Sequence, residues 1–160
     1  MAVRGLETSS INADRVLRLV AFAFATIGLV DSGYLTWIKF AHQEARCIVG
    51  LGDCYSVNTS RYATLYGIPV AVFGMIAYLV ILGLLLLESR KGFWEANAGL
   101  AEFGVTLFGV LFSAYLTYLE LAVIHAICPY CMVSAISMLI LFAISIVRLV
   151  MPGREAQPIS

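Results

Sequence analysis

The sequence predicts an all-α fold, an integral membrane four-helix bundle with a cysteine-containing loop outside the bilayer and a short helix at the membrane surface. Hydrophobic residues make up 61% of the 160 residues and charged residues 12%, and the mean hydropathy is +0.93. These values are typical of membrane proteins and exclude an ordinary soluble domain. The chain also contains four apolar segments of about 20 residues, the length that a helix needs to cross a bilayer.

Each apolar segment predicts one transmembrane helix, over about residues 17–40, 67–87, 101–124 and 128–150. The interior of the first segment contains a single charge, Asp31, and the second segment contains none. The fourth segment ends near Arg148, with Pro152 and Gly153 beyond it to close the helix. Because the tails are too short to fold alone, we expect a single membrane domain over residues 1–160.

The Lys and Arg residues beside these segments predict the orientation, because cytoplasmic flanks carry the excess of basic residues. One side has seven of them, namely Arg4, Arg15, Arg18, Arg90, Lys91, Arg148 and Arg154. The other side has three, namely Lys39, Arg46 and Arg61. We therefore expect both termini in the cytoplasm of a bacterial cell and the protein in its inner (cytoplasmic) membrane. All four cysteines then lie on the oxidising, extracytoplasmic side.

The four cysteines form two close pairs. Cys47 and Cys54 lie in CIVGLGDC after the first helix, and Cys128 and Cys131 lie in CPYC at the start of the fourth. Four thiols allow three pairings. Zinc ligands are usually closer together than Cys47 and Cys54, so we expect no metal. Purely structural disulfides are an alternative, but the Cys-x-x-Cys spacing is typical of dithiols that cycle between oxidised and reduced forms.

The CPYC motif is placed where a thiolate is stabilised. Proline is favoured in the first turn of a helix, so Pro129 indicates that the fourth helix opens here. Cys128 then lies near unpaired N–H groups and the positive end of the helix dipole, which stabilise a thiolate. Cys131 lies on the same face one turn deeper. One thiol therefore faces the outside while the other faces the bundle.

Two stretches of the chain resemble each other: SGYLTWIKFAHQEARC, Ser32 to Cys47, and SAYLTYLELAVIHAIC, Ser113 to Cys128. Ser, Tyr, Leu, Thr, Ala and Cys coincide without gaps, and each stretch ends at the first cysteine of a pair. Chance similarity between apolar helices is one explanation. The other is an internal repeat, in which two halves are related by an axis along the membrane normal.

With these residues in hand, the chain resembles the vitamin K epoxide reductase family in its bacterial form. The resemblance covers nearly the whole chain. It rests on four helices, a loop cysteine pair after the first, Ser60-Arg61 shortly after that pair, and Cys-x-x-Cys opening the fourth helix. The order of the two pairs is the specific feature, because the other four-helix family of bacterial quinone-linked thiol oxidases has the reverse order.

The resemblance implies a function. Family members reduce a quinone at Cys-x-x-Cys and pass the disulfide outward through the loop pair to a thioredoxin-like protein. By matching position, Cys131 faces the quinone, Cys128 exchanges with Cys54, Cys47 meets the partner, and Ser60 lies at the quinone. The acceptor would be a quinone of the menaquinone, ubiquinone or phylloquinone type. The sequence contains no thioredoxin-like domain, so we expect a separate thioredoxin-fold partner and no nucleic acid.

The sequence departs from the animal members of the family in two places. They have a tyrosine four residues after the last cysteine, where this chain has Ala135. They also have an asparagine near the second helix, for which this sequence has no clear counterpart. Both departures weigh against epoxide reduction and leave plain quinone reduction.

Several other polar residues are candidates for the site. Asp31 is functional by default at membrane depth, although a structural role near the outer end of the helix is an alternative. Glu120 and His125 are expected at the interface, where His125 would take up protons near Cys128. The stretch YSVNTSRY predicts either a short helix on the membrane surface or an ordinary loop.

A different class of function is also compatible with these features. A small membrane scaffold or transporter subunit with structural disulfides would have the same composition. The same thiol relay run in reverse, as a reductase, is a second alternative, because the direction depends on the potentials of partner and quinone.

Overall fold

The computed structural model of the protein describes residues 2–41, 53–88 and 93–150. The elements are, in chain order, the helix α1 (Ala2–Phe40), the short helix α2 (Cys54–Thr59), a 3-10 turn (Arg61–Ala63), the strands β1 (Thr64–Leu65) and β2 (Ile68–Pro69), the helices α3 (Val70–Leu87) and α4 (Phe93–Leu119), a π-helical turn (Glu120–Ile124) and the helix α5 (Pro129–Val150).

Within the described residues, four helices are long and apolar enough to cross a membrane: Asn12–Phe40, Val70–Leu87, Asn97–Ile124 and Pro129–Val150. The predicted all-α membrane bundle is therefore confirmed, and the chain is a multi-pass membrane protein. The first and third helices begin earlier than predicted, at Ala2 and Phe93. These early turns are not apolar enough for a hydropathy pattern to mark them as helix.

The chain enters α3 through a small β-hairpin that the sequence analysis did not predict. β1 pairs antiparallel with β2 across Tyr66 and Gly67. Both turn residues have positive φ, 52° and 82°, as the two-residue turns that match the twist of a hairpin require. The hairpin ends in Pro69, so α3 starts at Val70 rather than near residue 67.

The four long helices close into a ring in which each contacts two neighbours. α1 packs on α3 and α5, and α4 packs on the same two helices. The core between them contains Ala21, Ala25, Tyr78, Ile81, Leu85, Met138, Leu141 and Ile144. Glycines allow the closest approaches, since a Cβ on Gly28 would lie 2.1 Å from Tyr78 and one on Gly109 2.6 Å from Met138. Small residues of this kind let membrane helices pack without a hydrophobic driving force.

A buried ion cluster joins all four long helices at the end of the bundle away from the cysteines. Arg148 of α5 is 2% exposed. It donates to Asp14 of α1 at 3.0 Å, to Glu88 at the end of α3 at 2.6 Å and to Glu102 of α4 at 3.1 Å. Arg18 lies 3.9 Å from Glu88.

Arg148 is therefore not a flanking residue of the kind used to predict orientation. The structure places it inside the bundle, because three carboxylates from three other helices surround its guanidinium. Without Arg148, six basic residues rather than seven remain on the predicted cytoplasmic side, against three on the other. The predicted cytoplasmic side still has more basic residues than the other side, so the expected orientation does not change.

We predict that Gly28→Ala destabilises the bundle, because its Cβ would overlap the Tyr78 ring and force α1 and α3 apart. Overpacking of this kind costs about 1–3 kcal/mol. The matched control is Gly33→Ala on the same helix, where nothing lies within 4 Å of the added Cβ. Thermal unfolding of both variants in detergent measures the difference. Equal unfolding temperatures would contradict the prediction.

We also predict that Arg148→Ala is strongly destabilising, because it leaves the buried Glu102 carboxylate without the guanidinium that it contacts. Removing one partner of a buried ion pair costs about 3–5 kcal/mol. Arg15→Ala is the control, since Arg15 is exposed. Denaturant titration of the purified variants, followed by the fluorescence of the tryptophans, reports the loss. A variant as stable as the control would show that the cluster contributes no net stability.

Candidate functional site

The sulfur atoms of Cys54 and Cys128 lie 3.8 Å apart. Cys54 is the first residue of α2, and Cys128 directly precedes α5. Both are buried, with exposed fractions of 1% and 2%. The backbone N–H of Asp53 donates to the carbonyl of Ile127 at 3.1 Å. The residues before the two cysteines are thus joined directly, and this bond holds the sulfurs in contact.

The three described cysteines have different oxidation states. Cys54 is disulfide-bonded, whereas Cys128 and Cys131 are free thiols. Cys47 lies outside the described residues. A thiolate next to a disulfide sulfur is the arrangement that thiol–disulfide exchange requires. The site therefore contains an attacking group and its target at contact distance.

Two contacts hold α2 against the bundle, and a side-chain cap fixes its first turn. Asp53 caps the helix by accepting the backbone N–H of Ser56 at 3.0 Å, and the hydrogen bonds from Ser56 hold the pKa of Asp53 below its usual value. The Lys39 ammonium of α1 donates to the carbonyl of Asn58. Val57 packs into a buried cluster with Ile38 and the cysteines. The sequence predicted a helix from Tyr55, and the structure begins it one residue earlier, so Cys54 is carried on the helix itself.

Glu120 holds the opening of α5 in place. Its side chain is 3% exposed, and its Oε2 accepts the backbone N–H of Cys128 at 3.1 Å. The same carboxylate is within hydrogen-bonding reach of the Cys131 thiol. We expected Glu120 at the solvated interface, but the structure buries it behind both thiols. In the sequence, Glu120 is a single charge in an apolar helix end, and this is the only signal that pointed to its contact with the cysteines.

A π-helical turn, Glu120–Ile124, produces this placement. The backbone carbonyl of Glu120 accepts the N–H groups of His125 and Ala126, and His125 has a left-handed conformation with φ of 55°. π-helical turns are rare and often occur at functional sites. His125 itself is exposed, so it terminates the turn at the surface while Glu120 lies inside.

Cys128 is the thiol that ionises more readily. The hydrogen bond with the Cys131 thiol lowers the pKa of Cys128, and the amides of Tyr130 and Cys131 at the helix opening act in the same direction. Burial and the Glu120 carboxylate oppose this pKa shift but do not reverse it. The direction is the one that the helix-opening position of Cys128 predicts. Cys128 is thus the thiol nearest to Cys54, and its lowered pKa makes it the better leaving group when exchange runs toward Cys128 and the better nucleophile when exchange runs toward Cys54.

Cys128 and Cys131 line an open cavity of about 160 Å³ between the helices. Its wall is mostly apolar, with a few polar groups that include Asp31, Ser32, Asn58, Ser60 and Ser134. The Ser60 hydroxyl donates to the Val57 carbonyl at 2.8 Å. The predicted site residues Ser60 and Cys131 therefore share one cavity. An apolar cavity with few polar groups suits a flat, apolar ring system.

Asp31 is the second acidic residue at this site. It lies on the cavity wall, 9% exposed, so it is not solvated at the helix end. Tyr34 lies one turn further along α1, and its ring centroid is 5.3 Å from that of Tyr130 in the CPYC motif. Among the described residues, no group of three or more His, Cys, Asp or Glu side chains is arranged to hold a metal ion.

Comparison with known proteins agrees with this geometry. The model of the vitamin K epoxide reductase family matches residues 19–146. The thiol-disulfide oxidoreductase LTO1 of Arabidopsis thaliana is 36% identical over 123 residues, which cover 74% of this chain and 33% of the relative. The chain thus spans about a third of the length of that relative.

We predict that the Cys131 hydrogen bond sets the pH at which Cys128 attacks. In Cys131→Ser a hydroxyl still donates to Cys128, whereas in Cys131→Ala nothing does. Because the bond lowers the pKa of Cys128, the thiolate should persist to lower pH in the Ser variant. The rate of Cys54–Cys128 disulfide formation should therefore have its midpoint at lower pH in Ser than in Ala.

Acid quenching, alkylation and mass spectrometry of the linked peptide give these rates across the pH range. Neither variant has the second thiol of the CPYC pair, so only Cys47 can resolve the Cys54–Cys128 disulfide, and the approach to equilibrium with the Cys47–Cys54 disulfide is followed in both variants. Coincident pH profiles would show that Cys131 does not control the ionisation of Cys128.

Proposed function

The chain belongs to the vitamin K epoxide reductase family, and we propose that it is a membrane thiol–disulfide oxidoreductase that oxidises a thioredoxin-fold partner and reduces a membrane quinone. The observation that carries this proposal is the 3.8 Å contact between Cys54 and Cys128 at the wall of an apolar cavity. It joins a disulfide to a dithiol. A relay between water and lipid needs such a junction.

The outer half of the proposed relay uses Cys47 and Cys54. The reduced partner attacks a Cys47–Cys54 disulfide at Cys47, and the second thiol of the partner then releases it in oxidised form. Two electrons and two protons have then passed to Cys47 and Cys54. The burial of Cys54 supports this order, because a protein partner cannot reach a sulfur that is 1% exposed.

The inner half uses Cys54, Cys128 and Cys131. The Cys54 thiolate attacks Cys128 of a Cys128–Cys131 disulfide and displaces the Cys131 thiolate. Cys47 then attacks Cys54, which restores the outer disulfide and frees Cys128. The described oxidation states, a disulfide at Cys54 and thiols at Cys128 and Cys131, correspond to the stage after this transfer.

The quinone, when bound, supplies an acceptor for two electrons and two protons. Its proposed site is the cavity, where Cys131 and Ser60 form part of the wall. Cys131 faces the acceptor while Glu120 fixes the start of α5 through the Cys128 amide. Oxidation of the dithiol regenerates the Cys128–Cys131 disulfide for the next cycle. Ala135 also lines the cavity, so the wall lacks a phenol there, and quinone rather than epoxide reduction is the proposed activity.

The relay requires a defined orientation. We propose that the cysteines lie outside the cytoplasm and that both termini lie inside it, in a single domain in the inner membrane of a bacterial cell. The excess of basic residues on the opposite flanks supports this orientation. The extracytoplasmic side is oxidising, which favours a protein that forms disulfides there.

The contact geometry favours this enzyme over a scaffold with structural disulfides. A structural disulfide is stable when no thiol lies close enough to attack its sulfur atoms. Here a buried thiol with a lowered pKa touches a disulfide sulfur. A thiol in contact with a disulfide favours exchange between them. A disulfide with a purely structural role is expected to lie away from such a thiol.

The proposal predicts that quinone reduction depends on each of the four cysteines. The purified protein is supplied with a reduced thioredoxin-fold protein and a short-chain quinone, and quinol formation is measured. Serine replacement of Cys47, Cys54, Cys128 or Cys131 should lower turnover by about three orders of magnitude or more, as loss of a nucleophile does. Gly33→Ala, which meets nothing within 4 Å, is the control.

The number of free thiols after quinone addition is an independent test of the proposed function. Addition of quinone should convert the Cys128–Cys131 dithiol to a disulfide, while the scaffold alternative predicts no change. In cells, Cys54→Ala should leave Cys47 holding its partner as a mixed disulfide, which mass spectrometry identifies. Unchanged thiols after quinone addition, or turnover that survives the serine replacements, would overturn the proposal.

A further inference from the structure

Asp31 has a buried oxygen that no group in the described part of the protein meets as a hydrogen-bond partner. Two buried side-chain oxygens of the described residues accept no hydrogen bond, Asp31 Oδ2 and Glu102 Oε1. Glu102 is paired with Arg148 through its other oxygen and does not line the cavity. Asp31 does line it. Acidic residues at membrane depth are costly and usually mark a functional site.

The surroundings of Asp31 favour its neutral, protonated form. Among the described residues, none of the ion pairs includes Asp31. Asp31 lies near enough to the hydroxyls of Tyr78 on α3 and Tyr130 on α5 to act on them electrostatically, and neither group is a cation. A carboxylate in a mostly apolar cavity without a cation is costly, whereas the neutral acid is not.

Tyr78 does not satisfy the carboxyl group. Its hydroxyl donates to the Ser134 carbonyl at 2.7 Å and lies 3.1 Å from the Ser134 hydroxyl. These contacts lock the phenol to α5. Ser32, the neighbour of Asp31, donates to the carbonyl of Gly28 within its own helix. The polar groups beside Asp31 are thus already engaged, and Asp31 remains as the acid that a bound molecule would meet.

We propose that Asp31 is a further catalytic residue, whose neutral carboxyl group donates a hydrogen bond to one oxygen of the quinone and then transfers its proton to that oxygen. The inference rests on the proposed function, and it assigns a role in the same cavity to a residue that the cysteine relay does not use.

The proposed step balances. Oxidation of the Cys128–Cys131 dithiol to a disulfide releases two electrons and two protons, and formation of the quinol consumes two of each. One proton reaches the quinone from the carboxylic acid of Asp31. One of the two thiol protons then protonates the resulting Asp31 carboxylate. The other thiol proton goes to the second quinone oxygen. Asp31 therefore returns to its acid form in every cycle without an outside proton source.

The test compares wild type with Asp31→Asn, which keeps the shape and can donate a hydrogen bond but cannot deliver a proton. The first readout is the infrared spectrum of the quinone-free protein. The difference spectrum of wild type minus the Asn variant should contain the C=O stretch of one protonated carboxylic acid. Addition of a short-chain quinone should shift that band to lower frequency, because the acid then donates a hydrogen bond.

The second readout separates the chemical step from binding and folding. With Asp31→Asn, kcat for quinone reduction should fall about 100-fold, a typical contribution of a general acid, while KM changes little. In the Cys131→Ala background, the Cys54–Cys128 disulfide should form at the same rate with and without Asp31→Asn. Equal rates show that the exchange between Cys54 and Cys128 is intact. Asp31→Leu, which cannot donate at all, should also raise KM.

An Asn variant that keeps wild-type turnover, or a difference spectrum without a carboxylic acid band, would overturn the inference and leave the proposed function standing. Wild-type protein that reduces no quinone would overturn the proposed function, and this inference with it. The two failures are therefore distinguishable in one set of measurements.

Discussion

The approach of Cys54 to Cys128 depends on how α2 docks against the opening of α5. One backbone hydrogen bond, from Asp53 to Ile127, joins the residues before the two sulfurs. Glu120 binds the next amide, that of Cys128, from the side of α4. Because both sulfurs are buried, the contact is made inside the protein and water has little access to it. The chemistry that we propose follows from this junction, since each half of the relay ends there.

The two ends of the bundle use their charges differently. At one end, Arg148 is surrounded by carboxylates from the other three long helices, and such a cluster fixes the order of helices where lipid gives little driving force for association. At the other end, Glu120 and Asp31 have no cationic partner among the described residues. Paired charges thus join the helices at one end, whereas the acids near the cysteines and the cavity are not neutralised by a described cation.

The two acids near the cavity have distinct surroundings. Glu120 is held by the Cys128 amide and lies close to the Cys131 thiol, so it acts on the cysteines. Asp31 Oδ2 is held by nothing in the described part of the chain and lies on the cavity wall, so it is available to a bound molecule. The hydrogen bond from Tyr78 to Ser134 ties α3 to α5 at the wall of the same cavity. The π-helical turn supplies the geometry that brings Glu120 inside.

The sequence by itself determined the membrane bundle, the two cysteine pairs and the family, because apolar length and cysteine spacing are local properties of the chain. It also indicated the short helix after the loop pair and the resemblance that assigns Cys54 to Cys128. Only the tertiary structure decided that Arg148 and Glu120 are buried and that Asp31 faces a cavity. Arg148 meets carboxylates 134, 60 and 46 positions away in the chain. Whether a charge lies in a flank or in the core depends on such distant partners, and no local pattern records them.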